Sequence, residues 1–168
     1  MIINNLMGGI GNQLFQISAG FAHAKKIQTD YAINYKIGLG NGQGYHHRRY
    51  RDTLYKNIPE TNHNVFIPYQ DPKFSYTPIS KLNNLCLIGY FQSRKYFLGY
   101  EEEVKNLLYF PISLRTKVQN KLSAIKKKKV GIHLRLGDYR AKSTEGVFHK
   151  IDYSLYLNDA TKQFRDDY

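Results

Sequence analysis

Three stretches of the chain combine residue types that do chemistry. The first, Gly8-Gly9-Ile10-Gly11-Asn12-Gln13, follows a short apolar opening at residues 1–7. Glycines between a strand and a helix leave backbone N–H groups at the positive end of the helix dipole, where an anion or a hydroxyl is received. The same glycines equally serve a tight connection that needs φ > 0. Leu14 stands where a GxGxxG fingerprint wants its third glycine, and no GK[ST] follows, so neither a dinucleotide fingerprint nor a P-loop is satisfied. The second stretch is His133-Leu134-Arg135-Leu136-Gly137-Asp138-Tyr139. An imidazole and a guanidinium two residues apart share one face of a strand. A glycine turn and a carboxylate after them resemble the ligand-facing end of an open α/β sheet. Arginine forks onto two phosphate oxygens, so a diphosphate suits Arg135; a surface ion pair with Asp138 beside a satisfied histidine is the plain alternative. The third is basic, His46-His47-Arg48-Arg49-Tyr50-Arg51 together with Lys126 to Lys129. Lysine runs at helix ends are mostly solvated faces, and the histidine pair lacks the acidic or cysteine company of a metal site.

The elements that must position these residues follow from patterning. Residues 1–7 read as a strand. In NQLFQISAGFAHAKK, Leu14, Ile17, Phe21 and Ala24 fall at helical spacing, with Asn12 at the N-cap and Lys25-Lys26 at the C-terminal end. Tyr31-Ala32-Ile33-Asn34-Tyr35 reads as a second strand completing a βαβ unit. Residues 38–51 read as a long glycine-rich loop, a length that points to function or mobility. Pro59, Pro68, Pro72 and Pro78 predict irregular chain, Leu85 to Phe91 a buried strand, and 93–108 and 112–127 helices. Val130, Ile132 and Leu134 alternate as a strand does, and 153–164 reads as a last helix. After it the chain stops at Arg165-Asp166-Asp167-Tyr168 with no cap and no tail, as a sequence cut within a domain would.

Composition narrows the class. The 168 residues carry 25 Lys+Arg against 13 Asp+Glu, a formal charge of +12. Apolar residues make up 42%, enough for a core, so wholesale disorder is excluded. No apolar run approaches the ~20 residues of a bilayer span, and no basic n-region precedes an apolar stretch at the start. One cysteine, Cys86, excludes a disulfide framework and a cysteine-built zinc site. The expectation is a soluble cytoplasmic protein whose basic surface suits an anionic partner: nucleic acid, acidic lipid at a membrane surface, or a nucleotide-linked substrate.

Two motifs taken together sharpen this, and a third joins them. Met7-Gly8-Gly9-Ile10-Gly11-Asn12-Gln13-Leu14-Phe15-Gln16 resembles the GGxGNQLFQ opening of the α-1,2-fucosyltransferase family, glycosyltransferase family 11. Gly89-Tyr90-Phe91-Gln92-Ser93-Arg94-Lys95-Tyr96-Phe97 resembles that family's GYFQSxKYF segment, and 133–139 is similar to its HxRRGDY motif, with Leu136 where the family has a second arginine.

The resemblance implies an α/β fold of GT-B type: a Rossmann-like N-terminal, acceptor-side lobe over 1–127, and over 128–168 the first strand and helix of an incomplete GDP-fucose-binding lobe. Family members continue well beyond this point, through a segment containing serine and tryptophan; this chain has no tryptophan. It implies transfer of L-fucose from GDP-fucose to the 2-hydroxyl of a terminal galactose, with inversion to an α link, no cofactor and no metal. Arg135 then contacts the donor diphosphate, with His133 and Asp138 as the candidate bases. Gly9, Gly11, Asn12, Gln13, Gly137 and Tyr139 contact donor or acceptor. The alternatives are a shortened, silent relative that binds a nucleotide sugar or glycan and, more remotely, a small basic nucleic-acid-binding protein.

Overall fold

A computed structural model describes residues 1–38, 46–73, 75–134 and 152–164. The chain divides into two compact units, Met1–Pro111 and Ile112–Tyr168.

The first unit is built around a three-stranded parallel sheet. Its strands are β1 (Ile2–Asn4), β2 (Ile67–Gln70) and β3 (Leu85–Ile88), in the order β1-β3-β2. Ile2 pairs with Leu85 and Asn4 with Leu87, while Ile67 and Tyr69 face Leu85 and Leu87 from the other side. Strands β1 and β3 are covered on both faces, which is why both read as short continuous apolar runs. The expected strand at 31–35 is reduced to two parallel bridges, Ile2 to Tyr31 and Ile33 to Glu60. The Ile2 N–H still donates to the Asp30 carbonyl at 2.7 Å, and the Ala32 N–H to the Ile2 carbonyl at 3.2 Å. The chain therefore leaves β1, returns on one side of it at Tyr31, and later lays β3 on the other. Strand β2 corrects the expectation of irregular chain around Pro68. Proline lacks the ladder donor but is tolerated on an edge strand, and β2 is the edge.

Helix α1 (Ile10–Lys26) crosses between these strands. It starts two residues before the expected cap: Gly9 is the N-cap, no side chain caps it, and Asn12 lies inside the first turn. The positive φ of +75° sits at Gly8, while Gly9 has an ordinary −68°. That one turn at Gly8 lets the chain pass from strand to helix without a side-chain cap. Ile17 and Ala24 are buried, with Leu14 and Phe21 packed beside them as the spacing predicts. Gly20 brings the helix down onto β1; a Cβ there would lie 2.1 Å from the Asn4 Oδ1 and 2.7 Å from the Tyr31 ring. Aromatic residues supply much of the remaining core: Tyr31, Tyr35, Tyr55, Phe91 and Tyr96.

The helix expected over 93–108 is two pieces, a 3₁₀ turn at Arg94–Tyr96 and α2 (Glu101–Leu107). Gly99, at φ +86°, breaks it, and Glu101 accepts the Gly99 N–H at 2.8 Å. In the second unit α3 (Ile112–Ser123) ends before the lysine run, where successive like charges disfavour a further turn. α4 (Tyr153–Lys162) is capped by Asp152, whose carboxylate accepts from Ser154 and Leu155. No strand forms at 130–134. Val130 and Ile132 are 43% and 47% exposed, and among the described residues the second unit has no other strand to pair with. α3 belongs with this unit rather than with the first.

Candidate functional site

Because Tyr31 and β3 flank β1 on opposite sides in parallel pairings, the order of the strands reverses at β1, a switch point that in an open α/β sheet puts a crevice beyond the carboxyl ends of β1 and β3. Open α/β sheets bind ligands at such a point. Two of the three sequence motifs meet in it.

One wall is the glycine turn, held by amides from below. Gln16, fully buried, bonds Met7 twice: its Oε1 accepts the Met7 N–H at 3.0 Å and its Nε2 donates to the Met7 carbonyl at 2.9 Å. Gln13 Nε2 donates to the Gly8 carbonyl at 2.8 Å, and Gln13 Oε1 accepts the Tyr55 hydroxyl at 3.0 Å. Burial pushes the Tyr55 hydroxyl far above its ordinary range, so it stays a donor. Gln13, expected at the ligand, is 2% exposed and supports the turn from beneath. The pattern was visible in the sequence: two glutamines three apart, on the helix face that also carries Ile17.

The other wall is Gly89-Tyr90-Phe91-Gln92. Phe91 is fully buried at φ +49°, a conformation bulky residues rarely adopt and one that costs about 1–3 kcal/mol. Asp71 holds it there, its Oδ2 accepting the Phe91 N–H at 3.1 Å, while the Asp71 N–H donates to the Ile88 carbonyl at 2.7 Å. The bend sends the Phe91 ring into the core and Gln92 back across the crevice, where its Nε2 donates to the Asn12 Oδ1 at 2.6 Å. A Cβ on Gly8 would meet Asn12 Nδ2 at 2.6 Å and the Tyr90 ring at 3.1 Å, so glycine is what lets the two walls close up. Such strain concentrates at functional sites, and patterning alone did not show it.

Chemically the crevice offers two things. The first turn of α1 contains no acidic side chain, and the space beside Gly11 is open. Its N–H groups and dipole favour an anion. The Asn12–Gln92 pair keeps an amide N–H donor at one end and a carbonyl acceptor at the other, a match for hydroxyl groups.

His133 lies exposed in the second unit, and Arg135, Gly137, Asp138 and Tyr139 lie outside the described residues. In the loop expected over 38–51, residues 39–45 also lie outside, and His47–Tyr50 is a 3₁₀ turn. There the His46 and His47 rings stack at 4.1 Å, and the His46 ring accepts the Arg48 N–H.

Comparison with known proteins adds one finding. The chain is 23% identical, over 198 residues, to an alpha-1,2-colitosyltransferase of Escherichia coli, covering 99% of this chain and 64% of that protein. The chain thus spans about two thirds of that relative's length. No protein-family model and no solved structure matches it.

Proposed function

We propose that the chain is the acceptor-side lobe and the beginning of the donor lobe of an inverting glycosyltransferase that moves L-fucose from GDP-fucose to the 2-hydroxyl of a terminal galactose. The observation that carries this is the meeting of the glycine turn with Gly89-Tyr90-Phe91-Gln92 at the carboxyl ends of β1 and β3. The distant relative's name carries the same α-1,2 linkage.

In the reaction the acceptor oxygen bonds to the anomeric carbon of fucose as the bond from that carbon to the β-phosphate oxygen breaks. The electron pair leaves with GDP, and the acceptor proton passes to a base. Negative charge grows on the leaving phosphate, and the role proposed for the Arg135 guanidinium is to stabilise that charge more in the transition state than in the ground state. His133 and Asp138 are the two candidates for the base. Asn12 and Gln92 orient sugar hydroxyls across the crevice, and the amides at Gly9 and Gly11 receive negative charge. Gly137 and Tyr139 shape the donor side.

The test is release of GDP from GDP-fucose in the presence of a terminal β-galactoside. Arg135→Ala lowers the rate about 10²–10³-fold, the usual loss for one donor to a developing oxyanion. A rate within tenfold of the unsubstituted protein contradicts the role given to Arg135.

A further inference from the structure

At the opposite end of α1, about 16 Å along the axis from Asn12 at 1.5 Å per residue, His23 and Lys26 line a cavity of about 190 Å³. Three features give the cavity a chemistry.

His23 is 5% exposed, and its Nε2 has no hydrogen-bond partner. A buried unpaired nitrogen is costly unless something else pairs it. Desolvation, and less so the charge of Lys26, push its pKa down, against the Ser80 carbonyl, so the ring is neutral; its one N–H serves that carbonyl, which leaves Nε2 a lone-pair acceptor for a ligand hydroxyl.

Among the described residues the lining carries two cations, Lys26 and Lys81, and no carboxylate. Lys26 spends one N–H on the Tyr96 carbonyl at 2.9 Å and lies 5.7 Å from the Tyr100 ring centroid, which fixes its ammonium in place. The helix's last carbonyls do not compete for these charges. Those of His23, Ala24 and Lys25 accept the N–H groups of Ile27, Thr29 and Gln28.

The remaining wall is aromatic and aliphatic. The Tyr76 and Tyr96 rings meet edge to face at 4.9 Å, with Ile27, Pro78 and Ile79 beside them. Such side chains take the apolar body of a ring, and fixed cations take its charge.

We propose that this cavity is a second binding site, separate from the crevice at the strand ends, for a monocyclic carboxylic acid whose ring lies against Tyr76 and Tyr96 and whose carboxylate faces Lys26 and Lys81. Aromatic acids and uronic-acid sugars share that chemistry. The experiment titrates the full chain with benzoate and with glucuronate, reading the ring resonances of His23, Tyr76 and Tyr96 by NMR. Benzamide and methyl glucoside serve as uncharged counterparts. A saturable shift at these rings with at least one acid, weakened at least tenfold in Lys81→Met, is the expected result, and which acid binds names the source. Lys81 is exposed, so that substitution leaves the fold intact. The proposal is overturned if neither acid gives a saturable shift, if the uncharged counterparts bind as well, or if Lys81→Met binds equally. Shifts confined to residues 8–12 and 89–92 also overturn it, since they report only the other site.

Discussion

Helices α1 and α3 use similar residue types to opposite ends. α1 buries two glutamines, a serine and a histidine along with its apolar residues, whereas α3 buries nothing and leaves Leu114, Val118 and Leu122 about half exposed. A polar residue on α1 is therefore part of the architecture, and its amide is spent on the backbone of the turn before it. An apolar residue on α3 carries little packing energy. Residue type alone does not distinguish a ligand-facing glutamine from a supporting one; the difference lies in which backbone groups are left without partners at the start of the helix.

Substitutions and acid should separate the two regions. Gly20→Ala forces a methyl into Asn4 and Tyr31 and is expected to cost about 3 kcal/mol, read as a drop in the denaturant midpoint. Acid should act with similar size through His47. This side chain is 2% exposed, and desolvation, His46 and Arg48 lower its pKa from 6.5 to about 4. The unfolded chain then binds the proton first, so stability is full above pH 6.5 and falls, by up to about 3 kcal/mol, as pH drops toward 4. Stability profiles of the protein and of His47→Gln check this, and an unchanged slope in the variant assigns the acid loss elsewhere. Gln16→Leu leaves the Met7 N–H and carbonyl without their partner and should cost about 2 kcal/mol. At the other extreme, Val118→Thr on α3 is expected to stay within about 0.5 kcal/mol; a cost near that of Gly20→Ala would erase the contrast between the helices.

The parts legible in the sequence are those decided locally. Ile2, Ile3 and the run from Leu85 stand out because a strand covered on both faces is apolar throughout. The α1 face from Leu14 to Ala24 shows its 3.6-residue period, and the helix read from 153 onward is α4. What escaped depends on partners far along the chain. Pro68 hides an edge strand, the Tyr55 hydroxyl reaches Gln13 from 42 residues away, and the strained bend at Phe91 exists because Asp71 holds it. The alternation at Val130, Ile132 and Leu134 is genuine, yet among the described residues it finds no neighbouring strand. Of the residues singled out in the glycine turn, Gly9 is the N-cap of α1, Gly11 has open space beside it, and Gln13 bonds the Gly8 carbonyl; Gln92, quoted only as part of a motif, reaches Asn12.

The central claim is that the glycine turn and Gly89-Tyr90-Phe91-Gln92 together form one sugar-binding crevice. Its most direct test follows the backbone amides of the chain by NMR while GDP-fucose and a methyl β-galactoside are added, separately and together. The account predicts saturable shifts at Gly9, Gly11 and Asn12 together with Tyr90 and Gln92, abolished on both walls by Asn12→Ala. Shifts that leave both segments untouched, or that move one wall without the other, would contradict it.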